Sequence, residues 1–181
     1  VGSIIARMGS KRLTYKNLLP FGGKPLIGYG IELLRRAQTV NQIVVSTESE
    51  LIARVATDFG AVVLRRPPEL AYDKVPSIPV FQHLVSHFPC AVHVNYNFNI
   101  PLCQPSVIDR AVELALEHGE ALSVPYAAWA QTAECLKHYG DPWQITAFRF
   151  QDPSAIHLDI HEEEDLLKAY RLVQGPLSGW E

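Results

Sequence analysis

The residues best able to do chemistry sit in one stretch, IIARMGSKRLTYKNLLP, from Ile4 to Pro20. Arg7, Lys11, Arg12 and Lys16 crowd a polar loop that also holds Gly9 and Ser10. A glycine lets backbone N–H groups approach an anion closely, and successive N–H groups in a turn form an anion-binding nest. Arginine grips phosphate oxygens in a two-pronged fork, and lysine adds a point charge. Such a loop can hold a triphosphate and stabilise the charge that gathers on a departing pyrophosphate. The spacing is neither GxxxxGK[ST] nor GxGxxG, so it is not a Walker A loop or a dinucleotide fingerprint. Taken alone, the loop leaves open a plain solvated basic surface.

Other reactive side chains read as structural. His83 and His87 lie four apart on an expected helix and so share a face. No Glu stands between them as in HExxH, and neither His93 nor any other residue is an obvious third ligand. Trp129, Trp143 and Trp180 are scattered and read as packing residues. Cys90, Cys103 and Cys135 are odd in number and match no metal or redox spacing. They read as reduced thiols in a cytoplasmic protein.

The elements that must position the basic loop follow from periodicity. Val1–Ala6 is short, apolar and β-branched, as a buried strand is. Helices are expected over Pro25–Thr39, Glu50–Phe59, Ser77–His87, Ser106–His118 and Glu163–Val173, with Ser106 as an N-cap and Gly60 closing the second of these. Strands are expected over Gln42–Ser46, Ala61–Leu64, Ala91–Tyr96, Ala121–Pro125, Gln144–Arg149 and Ile156–Ile160. Ala127–Pro142 has no clear period. Alternating strands and helices imply βαβ units and a mostly parallel sheet, whose ligands bind beyond the carboxyl ends of the strands. That places the loops Arg7–Asn17, Arg65–Asp73 and Asn97–Pro101 along one sheet edge.

The 181 residues suit one domain, and 48% hydrophobic residues suit a folded core. The net charge is −3 and the only dense basic cluster is short, which fits a small polyanion better than a nucleic acid. No apolar run is long enough to span a membrane, and no signal peptide is expected. Because Val1 opens inside an apparent strand, a starter methionine and a few residues are expected ahead of it.

The loop does not stand alone. IIARMGSKRLTYKNLLPFGGKPLI resembles the N-terminal signature of the sugar nucleotidyltransferases that use CTP, namely the acylneuraminate cytidylyltransferases (CMP-sialic acid synthetase-like proteins) and the related spore-coat polysaccharide cytidylyltransferases. IVVSTESELIARVATDFGAVV is similar to that family's second strand, acidic turn and second helix, and RPPELAYDKVPSI to its next element. The likeness covers Ile4 to about Leu116 and again Ile156–Val173.

This resemblance implies a Rossmann-like nucleotide-diphospho-sugar transferase fold, α/β with three α/β/α layers and a mostly parallel sheet. It implies transfer of CMP from CTP to an acidic 2-keto sugar, with release of pyrophosphate, for surface polysaccharide synthesis. Arg12 and Lys16 would be the catalytic cations. Arg7, Gly9, Ser10, Lys11, Asn17, Arg66, Ser77 and Asn99 would surround the nucleotide. Asp159 and His161 match the metal element, with Mg²⁺ the expected ion or Mn²⁺ in its place.

The sequence departs from the family at three places. Asn99 stands where an Asp or Thr is usual, and His161 replaces a second Asp. Pro125–Ala155 is too short for the arm through which relatives dimerise and help form the neighbour's sugar site, so a sugar pocket built the usual way is not expected here, and a homodimer is left open. Two alternatives therefore stand beside the transferase: a nucleotide-binding relative that has lost its metal chemistry, and a nucleotidyltransferase of the same fold with another nucleotide or acceptor.

Overall fold

The computed structural model describes residues 1–9 and 12–175. Ser10, Lys11 and Trp180 therefore lie outside the described residues. Short β-branched runs form the centre of the molecule: β1 (Gly2–Ile5), β4 (Ile43–Thr47), β5 (Val62–Arg65) and β6 (Val92–Tyr96). β7 (Glu120–Val124), β8 (Ala128–Thr132) and β9 (Phe148–Gln151) extend the same sheet, in the order β5-β4-β1-β6-β8-β7-β9. β1 pairs in parallel with both β4 and β6, and β4 with β5. β8 runs antiparallel to both of its neighbours. A small hairpin of β2 (Pro20–Phe21) and β3 (Lys24–Pro25) leads out of the basic loop.

Helices cover the sheet with apolar stripes at helical spacing. In α1 (Leu26–Arg36) that stripe includes Leu26, Ile27, Ile31 and Leu34, all fully buried. The same helix approaches its neighbours closely. A Cβ added at Gly30 would stand 2.8 Å from Phe98 Cβ, and one at Gly28 would stand 2.6 Å from the Phe59 ring. α2 (Glu50–Asp58) starts at Ser49, whose side chain accepts from Ile52 N, and α3 (Ser77–His87) has the expected bounds. α6 (Glu163–Gln174) opens with a capping box between Glu162 and Asp165, and acids fill its first turn, where the helix dipole favours them. No described helix is long and apolar enough to cross a membrane.

Four expectations are corrected. The N-cap position of α4 (Pro105–His118) falls to Gln104, whose side chain makes no capping bond, rather than to Ser106, because Pro105 takes the first helical position, where its missing N–H costs nothing. Ile156–Ile160 forms no strand. It runs beside the segment that follows β6, through Ile156 N to Leu102 O and Ile160 N to Asn99 O, next to a Cys103–Ala155 bridge. β9 begins at Phe148, later than Gln144, because Asp141 turns the chain there by accepting from Trp143 N and Gln144 Nε2. Finally, the unplaced Ala127–Pro142 supplies β8 and the short α5 (Ala133–Lys137).

Candidate active site

A cavity of about 490 Å³ opens beyond the carboxyl ends of β1 and β6, where ligands bind in open α/β sheets. β1 delivers Arg7 directly into its wall. The chain then passes through Tyr15, held left-handed at φ 54°, into one 3₁₀ turn at Lys16–Leu18. That turn brings Lys16 and Asn17 to the cavity beside Arg12. Asn17 is buried and donates from Nδ2 to Arg7 O at 2.7 Å, which ties the two ends of the loop together.

The cations are held in different ways. Arg7 pairs with Asp73, which follows β5, and also donates to Gly9 O at 3.3 Å. Arg12 is well exposed, 4.0 Å from Glu162 Oε1. Lys16 Nζ donates to Ile160 O at 3.2 Å. Burial pulls the Lys16 ammonium below its ordinary pKa, Asp159 opposes that shift, and Arg12 and Arg7 add to it.

The opposite wall is made of neutral polar groups. Asn95, Asn97 and Asn99 alternate along the end of β6 and its extension, and all three line the cavity with Ser77 and Tyr126. Asn97 Nδ2 donates to Tyr126 O at 3.0 Å, and Asn97 Oδ1 accepts from Asn99 N at 3.3 Å. His161 closes one side, its Nε2 2.9 Å from Asp159 Oδ2.

Two buried oxygens, Asn99 Oδ1 and Asp159 Oδ1, have no hydrogen-bond partner. The backbone bond from Ile160 N to Asn99 O, 2.7 Å, holds their segments side by side. Among the described residues no cluster of three or more His, Cys, Asp or Glu is placed to hold a metal. A hard cation that keeps several waters and needs one or two carboxylates plus substrate phosphates fits these two oxygens. His161 offers less to such an ion, because its Nε2 is engaged with Asp159 and imidazole prefers softer metals.

The structure thus gathers Arg7, Arg12, Lys16, Asn17, Ser77, Asn99 and His161 around one cavity, with Asp159 in contact with His161. Gly9 stands next to the Arg7 guanidinium. Arg66 is not brought to the cavity wall. It is 5% exposed and its guanidinium donates inward, to Ala6 O at 3.1 Å, Ser46 Oγ at 3.2 Å and Ser46 O. Burial lowers its pKa to about 10, with Glu48 opposing. Arg66 therefore splints β5 onto the ends of β1 and β4. Asn95 and Tyr126 are cavity residues that sequence reasoning missed, and Asn97 was placed at the sheet edge with its loop but given no role. The alternating asparagines of VNYNFN carried a signal, since residues two apart face the same way on an extended strand. Tyr126 carried none, because it precedes the unplaced β8.

A family model described as Cytidylyltransferase matches residues 1–168. The chain belongs to the cytidylyltransferase family. This member is 35% identical to the N-acylneuraminate cytidylyltransferase A of Danio rerio over 117 residues, which cover 64% of the chain and 27% of that protein. The N-acylneuraminate cytidylyltransferase of Escherichia coli O18:K1:H7 is 36% identical over 106 residues, 59% of the chain and 24% of the relative. The 3-deoxy-manno-octulosonate cytidylyltransferase of a Nitratiruptor species is 29% identical over 123 residues, 67% of the chain and 49% of the relative. The aligned part is thus about a quarter of the length of the first two relatives. The solved structure of CMP:2-keto-3-deoxy-manno-octonic acid synthetase complexed with CTP matches this cytidylyltransferase-family chain with a TM-score of 0.78. Identity is 16%, and 96% of this chain and 97% of that one are covered. At that identity the match speaks for the fold: a Rossmann-like α/β sheet with helices on its faces.

Proposed function

We propose that this chain transfers CMP from CTP to an acidic 2-keto sugar and releases pyrophosphate. The observation that carries the proposal is the meeting of three cations, Arg7, Arg12 and Lys16, with the buried unpartnered oxygens of Asn99 and Asp159 at the edge of the sheet. In the reaction, a hydroxyl oxygen of the sugar bonds to the α-phosphorus of CTP. The bond from that phosphorus to the oxygen bridging the β-phosphate breaks, and the hydroxyl proton leaves to solvent. Arg12 and Lys16 meet the negative charge that grows on the departing pyrophosphate. Arg7 exchanges the Asp73 carboxylate for a phosphate, and Ser77 and Asn17 contact the nucleoside. Asp159 and Asn99 are the residues to hold Mg²⁺, which when bound neutralises phosphate charge.

The pocket's nucleotide is tested by thermal unfolding. A ligand that binds only the folded chain stabilises it by RT ln(1 + [L]/Kd). CTP at a fixed concentration is expected to raise the melting temperature well above the shifts given by ATP and GTP. Equal shifts for the three nucleotides contradict a cytidine site.

A second reading, a nucleotide binder without metal chemistry, is favoured by one observation: among the described residues no cluster of three or more His, Cys, Asp or Glu is placed to hold a metal. The double substitution Asn99→Asp, His161→Asp decides between them. Under the transferase reading the wild type already turns over. Activity that appears only in the double variant supports the binder.

A further inference from the structure

The chain leaving β1 is held by side chains from three other places in the fold. Ala6 O accepts from Arg66 Nη2 at 3.1 Å. Arg7 O accepts from Asn17 Nδ2 at 2.7 Å, and Met8 N donates to Glu48 Oε1 at 2.8 Å. Arg7 O and Met8 N belong to one planar peptide. Asn17 and Glu48 therefore hold the same peptide, one by its carbonyl and the other by its N–H. Arg66 holds the peptide before it. The two planes that flank the Arg7 α-carbon are both fixed, and with them the φ and ψ of Arg7. What is left to move is the Arg7 side chain.

The sheet does not need this hold. β1 ends at Ile5, and Ala6 N to Ser46 O, 3.0 Å, adds one more bond toward β4. Met8 lies beyond both. The residues on either side of Met8 belong to the site: Arg7 lines the cavity, and Gly9 O accepts from the Arg7 guanidinium.

Glu48 is also a costly residue to use. It follows β4 and is half-buried. Its Oε2 is buried and has no hydrogen-bond partner. A desolvated carboxylate oxygen without a donor is destabilising, and a neutral side chain could accept the same N–H at smaller cost. The nearby Arg66 guanidinium offsets part of that cost, since the two attract. In return a carboxylate accepts an N–H more strongly than a neutral oxygen does. Its charge also keeps phosphate away from Met8 N, so the anion is left to the Arg7 guanidinium.

We propose that Glu48 is a positioning residue for Arg7: by fixing the Arg7–Met8 peptide it pre-sets the Arg7 backbone, so that the guanidinium passes from Asp73 to a phosphate of the nucleotide by side-chain rotation alone. Binding is then tighter because little ordering of the loop remains to be done. This rests on the nucleotide reading proposed above.

Met8 is the one methionine of the sequence, so a ¹⁵N-methionine label reports its backbone amide. In wild type without nucleotide that amide is expected to exchange with deuterated water far more slowly than an exposed amide. Glu48→Ala is expected to speed the exchange and to weaken CTP binding, measured by calorimetry, by roughly ten-fold, the size of one lost hydrogen bond. Glu48→Gln, whose carbonyl oxygen can take the same N–H, is expected to recover most of both losses. A shared hold on one peptide predicts one more result, which a merely structural role does not: Glu48→Ala costs less CTP affinity in an Asn17→Ala background than in wild type, because the peptide is already loose there. A wild type that binds CTP overturns this inference alone if Glu48→Ala binds as well as it does, if Glu48→Gln recovers nothing, or if the Glu48→Ala loss is undiminished beside Asn17→Ala. A Met8 amide that exchanges as freely as an exposed one in wild type does the same, and that result needs no variant to fold. A wild type that binds no CTP overturns the nucleotide reading and this inference with it.

Discussion

Lys16 shows how one side chain ties charge to burial. Its ammonium donates to a backbone carbonyl at the rim of α6 and is desolvated enough to lose its proton below the pH at which a free lysine does. The cation is therefore lost earlier on the alkaline side than that of a free lysine, as pH rises through the lowered pKa. Binding of CTP, measured by calorimetry across alkaline pH, is expected to weaken before pH 10.5, the ordinary lysine value. Lys16→Arg is expected to carry the affinity to higher pH, because guanidinium stays charged. A profile that Lys16→Arg leaves unmoved contradicts the role. Arg7, Arg12 and Lys16 stood out as a dense basic loop after a first strand, a pattern that a solvated surface shares, and Asn17 was singled out only through the family likeness. Arg66 looked like one of the same group. Its inward bonds depend on the pairing of β4 with β5, a contact made far along the chain, so no local pattern distinguishes a splint from a ligand.

At the scale of elements, three strands of the sheet share one buried histidine. His93 on β6 reaches Ser3 on β1 and Gln131 on β8, and burial lowers its pKa to about 4. In the unfolded chain it takes a proton near pH 6.5, but in the folded chain only near 4. The unfolded state thus binds more protons between these values, and stability falls as pH drops across that window. The loss is on the order of 3 kcal/mol. Urea unfolding at pH 7 and pH 4.5 is expected to show that slope in wild type and a shallower one in His93→Gln. Equal slopes contradict it. Helix α3 and the strands β4 and β6 were readable from periodicity and β-branched runs. β8 was not, because AWAQT is rich in alanine, a weak strand former. Most of β8 is also buried on both faces, which erases the alternation that marks a half-exposed strand. Ile156–Ile160 failed in the opposite way. It alternates like a strand, yet meets the segment after β6 through isolated backbone bonds to Leu102 and Asn99.

At the scale of the whole molecule, the sheet order sets a division of labour along one edge. The β1 loop brings cations, the end of β6 brings neutral amides, and the segment before α6 brings Asp159 and His161 from far along the chain. No one segment makes the site, so the fold must close before the cavity exists. Whether this edge performs transfer is measured by pyrophosphate release from CTP with Mg²⁺ or Mn²⁺ against a panel of 2-keto sugar acids. Release with at least one acid is expected, and Arg12→Ala is expected to reduce it by about 10²-fold or more, as loss of a transition-state donor does. Clear binding of CTP without release from any acid contradicts a transferase and leaves a nucleotide-binding protein in its place.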